Sequence, residues 1–303
     1  MKQFSFTFWI VFMLAAFMHV GIKAQNHPNG VDFLIEGVQY PDFTYAGVPS
    51  GIPANPPGNT YYVTDYSGTD RQKAQAAVDA AESAGGGIVY FPAGTYYFDD
   101  RVVIDQDNIV IRGAGQNQTT IVLQGAASNA HETAAFSFLG AGDVQNVYNF
   151  IMNDVEKGDR IIEIQDGSAF SAGDFVRLRI HMNDLIKSND FYRKKYVRYD
   201  EDVNWSYAHQ GTYLIESISG NFIKLSQPIR ITFTKSPDDI ISGNIGARGS
   251  YMRPASVIRN CGVEDLRIET EEFAETMYTG GVYFTYAYAC WVKDVYIRYA
   301  GSI

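Results

Sequence analysis

Two aspartates, Asp265 and Asp294, hold the same place in a repeated pattern. Cys261-Gly-Val-Glu-Asp-Leu-Arg-Ile268 and Cys290-Trp-Val-Lys-Asp-Val-Tyr-Ile297 both read C-x-V-x-D-[LV]-x-I, at an offset of 29 residues. Segments that repeat in this way and lie side by side as strands stack equivalent side chains at about 4.8 Å. Carboxylates that close repel one another unless a cation or a shared proton intervenes. The plainer alternative is a polar residue at the turn before a strand. Arg267 and Arg298, on or just after these strands, can meet an anionic group or simply face water. A second basic group, Arg193, Lys194, Lys195 and Arg198, shares the polar stretch 181–210 with Trp205 and two histidines. Flat aromatic rings stack on sugar faces and cations pair with uronate or sulfate, so Arg193, Lys194, Arg198 and Trp205, with Tyr283 and Tyr286, form a candidate binding set. The alternative for the basic cluster is a solvated face. Two cysteines provide no metal-site spacing, and there is no nucleophile elbow, phosphate loop, zinc motif or nucleotide fingerprint.

These residues need elements to hold them. Ala74, Ala77, Val78 and Ala81 fall at i, i+3, i+4 and i+7, a narrow apolar stripe that predicts a helix over 70–84. Gly85-Gly-Gly87 stops it, Ile88-Val-Tyr-Phe91 is a β-prone run, and Pro92-Ala-Gly94 turns the chain into Thr95-Tyr-Tyr-Phe98. The repeat at Cys261 and Cys290, echoed by Asn108-Ile-Val-Ile-Arg112, is what consecutive coils of a β-solenoid produce. It predicts ladders in which Val263, Leu266 and Ile268 meet Val292, Val295 and Ile297. It also puts Cys261 and Cys290 on neighbouring rungs as two buried thiols. In Gly280-Gly-Val-Tyr-Phe-Thr-Tyr286 the side chains alternate, so Tyr283 and Phe284 face opposite ways, one to the core and one to the surface. Between Asn149 and about Arg253 the solenoid signal fades. There Asp174-Phe-Val-Arg-Leu-Arg-Ile180 is strand-like, and Tyr213–Ile218, Gly220-Asn221 and Phe222–Leu225 read as a hairpin.

The order helix, glycine stop, strand and FPAGTY turn closely resembles the N-terminal entry of the pectate-lyase-like superfamily, of the secreted, rhamnogalacturonase/epimerase-like type. The matching residues are Gly86, Gly87, Val89, Phe91, Pro92, Gly94 and Tyr96. Asp42-Phe-Thr-Tyr-Ala-Gly47 resembles the leader of such proteins, and Asn108–Gly115 with Thr119–Leu123 their next rung. The matched parts cover about a third of the chain. The resemblance implies an all-β solenoid, a right-handed parallel β-helix with an N-terminal capping helix and a β-rich insertion. The expected division is a signal peptide at 1–24, a leader at 25–69, the start of the β-helix at 70–148, the insertion at 149–253 and resumed coils at 254–303.

The implied function is a secreted carbohydrate-active enzyme that cleaves a complex, acidic polysaccharide by β-elimination or hydrolysis. A lyase of this kind often uses Ca²⁺ held by clustered carboxylates and a basic residue to take the proton. A hydrolase uses paired carboxylates. The catalytic candidates remain Asp265, Asp294 and Arg298. The competing reading is a non-catalytic, adhesin-like glycan-binding module, and a third is an epimerase acting on polymeric uronate. Lys2 followed by the apolar run Phe4 to Val20, with Ala24 at the cleavage position, reads as an export signal, the alternative being an uncleaved anchor. The formal net charge is −10 and becomes −12 without Lys2 and Lys23, which excludes a global attraction for nucleic acid or anionic membranes. A polysaccharide partner and a monomer are expected. Nothing after Arg298 resembles a terminal cap, so the expectation is a fragment of a longer protein.

Overall fold

The computed structural model describes residues 32–35, 38–41, 47–49, 51–124, 133–144, 147–181, 207–230, 232–236, 249–270 and 279–298. Strands β1 (Asp32–Ile35) and β2 (Val38–Pro41) form a two-stranded antiparallel sheet, and β3 (Asn59–Tyr62) follows. Helix α1 (Asp70–Ser83) begins where Thr69 and Gln72 form a capping box: the Gln72 amide N–H donates to Thr69 Oγ1, and the Thr69 N–H to Gln72 Oε1 at 2.9 Å. It ends as Gly85 takes a left-handed φ of 84° and the Gly86 N–H donates back to the Ala81 carbonyl. Its apolar stripe, Ala74, Ala77, Val78 and Ala81, is fully buried.

After the helix come β4 (Gly87–Phe91), β5 (Gly94–Phe98), β6 (Val102–Ile104), β7 (Ile109–Gly113), β8 (Thr119–Leu123) and β9 (Thr133–Leu139). They stack in parallel, β4 on β7, β5 on β8 and β6 on β9, and β3 pairs with the other edge of β4. The leader therefore supplies a strand to the stack. Helix α1 lies against the first layer and serves its open edges through three polar side chains. Asp70 accepts the Tyr97 N–H, Gln75 bonds both the N–H and the carbonyl of Val103, and Glu82 accepts the N–H groups of Asp105 and Gln106. Strand edges otherwise present unpaired donors and acceptors, so the helix both covers the core and closes the edge.

An antiparallel sheet then interrupts the stack. Its strands are β10 (Gly142–Asp143), β11 (Asn149–Phe150), β12 (Ile161–Glu163), β13 (Phe175–His181), β14 (Tyr207–Ser219), β15 (Phe222–Leu225) and β16 (Tyr251–Ser256). They run in the order β10-β16-β13-β14-β15-β12, with β11 also paired to β16. The sheet thus takes in Gly142 to Ser256, where the sequence suggests 149–253. The hairpin read at Gly220-Asn221 joins β14 to β15. One face packs a second core around Ile162, Val176, Leu178, Ile180, Ile215, Ile223 and Met252.

The stack resumes with β17 (Ile258–Arg259), β18 (Gly262–Thr270), β19 (Thr279–Thr285), β20 (Ala287–Tyr288) and β21 (Trp291–Arg298). Strand β18 lies on β7 with its first half and on β8 with its second, and β21 lies on β18. Val263, Leu266 and Ile268 pair with Val292, Val295 and Ile297, as the repeat requires. Strand β19 stacks on β9, where Phe284 lies 4.6 Å from Phe138 in the core. Tyr283 therefore faces outward, opposite Ser137 in register. The fold is mostly β-sheet, built of parallel stacked strands with an antiparallel insertion. The described residues do not close into a complete solenoid.

Cys261 and Cys290 precede the paired residues Gly262 and Trp291, and both are free, Cys261 buried and Cys290 half-buried. The thiols lie near the backbone carbonyls of Arg259 (3.3 Å) and Tyr288 (3.5 Å). The hydrogen bond to Cys290, together with burial, pushes the Cys261 thiol up. Protonated thiols are poor nucleophiles. Titration of the denatured, unreduced protein should find both groups reactive, with Cys261 silent in the native state. No reactive thiol after denaturation would mean that the two are bonded.

Candidate functional site

The repeat aspartates have a conformational task. Asp265 and Asp294 sit at left-handed φ values of 55° and 52°, at the bend where β18 leaves β7 for β8, and at the matching bend of β21. Asp and Asn tolerate this region better than other side-chain-bearing residues. The corner before these strands is built similarly: Asn108 and Asn260 have φ values of 65° and 55°, and their side-chain amides are bonded at 3.1 Å. Asp265 is half-buried and Asp294 exposed. Arg298 is exposed at the end of β21, 4.0 Å from Glu269. Arg267 lies over the Tyr296 ring at 4.9 Å and pairs with Glu269. Arg193, Lys194, Arg198 and Trp205 lie outside the described residues. Among the described residues no group of three or more His, Cys, Asp or Glu side chains is placed to hold a metal. A calcium-binding carboxylate cluster of the kind a lyase uses is thus not formed by them.

Tyr286 is different. It follows β19 at a φ of 46°, strained for a bulky side chain, and backbone strain of this kind concentrates at functional positions. Its hydroxyl donates to Asp143 on β10. The Asp143 carboxylate, almost fully buried, also accepts from Arg253 at 3.0 Å and from Arg179 at 3.4 Å. Arg253 donates to the Tyr251 hydroxyl at 3.0 Å and lies 4.7 Å from the centres of both the Tyr148 and Tyr251 rings. Arg177 lies over the Tyr286 ring at 5.0 Å and donates to Thr212 and Gln210.

Strand alternation puts these groups together. On β13, Val176, Leu178 and Ile180 enter the second core, so Phe175, Arg177 and Arg179 project from the other face. The register sets Arg177 opposite Arg253 and Thr212, and Arg179 opposite Tyr251 and Gln210. This face meets the end of the stack: Phe175 makes an edge contact with Tyr288 at 4.9 Å, and Tyr286 reaches Asp143. Two guanidiniums, Arg179 and Arg253, bond one carboxylate, and a third, Arg177, lies over the Tyr286 ring beside it, in a chain whose overall charge is −10.

The electrostatics follow. Burial alone would raise the Asp143 carboxyl, but the Tyr286 hydrogen bond, Arg179 and Arg253 outweigh it and hold the group below the usual carboxylate range. Burial, reinforced by the bond to Asp143, pushes the Tyr286 phenol above its ordinary value. At neutral pH the site therefore presents a neutral phenol, a carboxylate and three cations. Such a set can bind and orient an anionic group through the guanidiniums, while the single phenol hydrogen stays on Asp143 and leaves the Tyr286 oxygen free only to accept.

Of the residues singled out in the sequence that the structure describes, Tyr286 alone enters this cluster. Tyr283 lies on β19, Asp265 and Asp294 at the corner of the neighbouring strands, and Arg298 at the far end of β21. Asp143, Arg177, Arg179, Tyr251 and Arg253 were not singled out. The one signal for them was the alternation of arginine with apolar residues in Phe175–Ile180.

A second polar group lies on the outer face of the first column of strands. Glu264 is buried, accepts from the Trp291 indole N–H at 2.8 Å, and pairs with Arg112 at 2.6 Å. Trp291 lies so close over Gly262 that a Cβ there would fall 2.3 Å from the indole. This triad ties consecutive layers together, with both Glu264 oxygens engaged.

Residues 63–286 match the family model described as Rhamnogalacturonase A/epimerase, pectate lyase-like. The chain belongs to this family. Shorter stretches resemble curated proteins. One is 45% identical over 60 residues to mannuronan C5-epimerase AlgE6 of Azotobacter vinelandii, covering 18% of this chain and 7% of the epimerase. Another is 27% identical over 111 residues to the probable pectinesterase/pectinesterase inhibitor 16 of Arabidopsis thaliana, covering 34% of this chain and 21% of that protein. Among solved structures, the Gp54 tailspike of the Acinetobacter baumannii bacteriophage AP22, in complex with A. baumannii capsular saccharide, superposes with a TM-score of 0.47. That match has 12% identity and covers 75% of this chain and 32% of the tailspike. The chain thus spans only a small part of the length of each of these proteins.

Proposed function

We propose that this chain forms part of a secreted carbohydrate-active protein that works on an acidic polysaccharide by β-elimination, hydrolysis or epimerisation. The stacked strands are then the first coils of a right-handed parallel β-helix, and residues 1–24 its export signal. The observation that carries the reading is the guanidinium-rich face around Asp143 and Tyr286. Three cations and a neutral phenol gathered on one sheet face of an acidic chain suit a uronate, whose carboxylate pairs with a guanidinium and whose hydroxyls meet Tyr and Gln. Family membership agrees with this chemistry, and the relatives include a mannuronan C5-epimerase.

A second reading is glycan binding without turnover. It is favoured by Tyr97 and Tyr296, 51% and 47% exposed on the outer face of the second column, where flat rings can carry a sugar. One assay separates the readings. The full chain is offered polygalacturonate, mannuronan and neutral dextran, with and without a chelator. Unsaturated uronate absorbance reports elimination, new reducing ends report hydrolysis, and solvent-proton exchange at C5 reports epimerisation. Turnover confined to the acidic polymers is the expected result. Binding without turnover selects the second reading, and equal action on dextran refutes the acidic one.

A further inference from the structure

We infer that Arg177 is the residue that reads the sugar carboxylate at this face, while Asp143 positions its surroundings. The inference rests on the acidic-polysaccharide reading above and adds a specificity-determining residue to it. The three guanidiniums are not equivalent. Arg253 and Arg179 are turned towards Asp143, and Arg253 is 3% exposed. Arg177 pairs with no carboxylate among the described residues. Its partners are neutral: Nη1 donates to Thr212 Oγ1 at 3.2 Å, Nη2 donates to Gln210 Oε1 at 3.1 Å, and its carbon lies over the Tyr286 ring at 5.0 Å.

This arrangement fixes the plane of the guanidinium without neutralising it. Each terminal nitrogen carries two N–H groups, and each of these bonds uses one. The remaining pair is what a carboxylate takes in a bidentate fork. The Gln210 end of the group lies at the surface, whereas Asp143 and Arg253 lie in the interior. Charge therefore faces outward on a rigid support. Asp143 anchors that support through the Tyr286 hydroxyl, and the left-handed φ of Tyr286 aims its ring beneath Arg177. A structural clamp needs only Arg179, Arg253 and Asp143. Arg177 is the cation left over, and a neutral side chain of similar length would serve any packing role.

The test is binding by the full chain of oligogalacturonate and oligomannuronate, each compared with its methyl ester. The ester keeps the sugar and removes the charge. The wild type should prefer at least one acid to its ester. Arg177→Met should weaken that acid about 10- to 100-fold, the effect of losing a charge-assisted hydrogen-bonded pair, with no change for the ester or in melting temperature. Acid binding at wild-type strength in Arg177→Met overturns the inference and leaves the acidic reading standing. A wild type that binds neither acid better than its ester overturns both. If Arg177→Met lowers the melting temperature, Arg177→Lys decides, since it keeps the charge and loses the fork. A selective loss of acid binding in that variant upholds the inference, and wild-type affinity refutes it.

Discussion

Ala77→Glu is expected to destabilise the protein by about 3–5 kcal/mol, enough to unfold a marginal domain. Ala77 is completely buried on the face of α1 that covers the first layer, in a core with Ala74, Ala81, Val89 and Phe91. A glutamate there overpacks a site shaped for a methyl group and buries a charge among apolar neighbours. Glutamate is a good helix former, so the loss cannot be laid to helix propensity. The edge bonds made by Asp70, Gln75 and Glu82 come from the same helix and fail with it, exposing N–H and carbonyl groups of the first layer. The denaturation midpoint of the full chain measures the effect. Ser83→Lys, an exposed change in the last turn that suits the helix dipole, should leave it unchanged or slightly raised. An Ala77→Glu midpoint within error of the wild type would show that the helix does not cover the core.

What could be read in advance follows from how local each signal is. The helix was legible because its stripe and stop lie within Ala74 to Gly87, and the FPAGTY turn because proline and glycine set the backbone themselves; the Thr69 cap was not read. The ladders were legible because the repeat places Val263 on Val292 whatever lies between. The inward position of Phe284 was not, since alternation fixes only that Tyr283 and Phe284 face opposite ways. Asp265 and Asp294 drew attention as acids, yet their spacing reports a bend that accepts a left-handed residue. The arginine face was missed for a physical reason. Asp143 lies in a two-residue strand with no pattern of its own, and its partners Arg253 and Tyr286 stand 110 and 143 residues away. An outward arginine reads as solvated until the insertion folds back and something covers it.

Asp143→Ala should cost about 3–5 kcal/mol, because breaking a buried ion pair leaves charge facing charge without its counter-ion. The carboxylate stands between Arg253, Arg179 and the Tyr286 hydroxyl, so its loss loosens the contact between the insertion and the stack. The double variant Asp143→Leu/Arg253→Met removes both members of the most buried pair and should recover most of the loss, as apolar replacements of buried pairs often do. Acid gives an independent check. The folded carboxyl titrates below its ordinary value, so its contribution is fully present above about pH 4, the unfolded value, and is lost as pH falls through the folded one. The Tyr286 phenol titrates above its ordinary value, so its contribution is present below about pH 10 and fades as pH rises further. The wild type should thus have a steeper acid limb than Asp143→Ala, and the gap between their stabilities should narrow below about pH 4. A gap that stayed constant from neutral pH down to about pH 3 would mean that Asp143 holds the interface by shape alone, and the charge argument for the arginine face would fail with it.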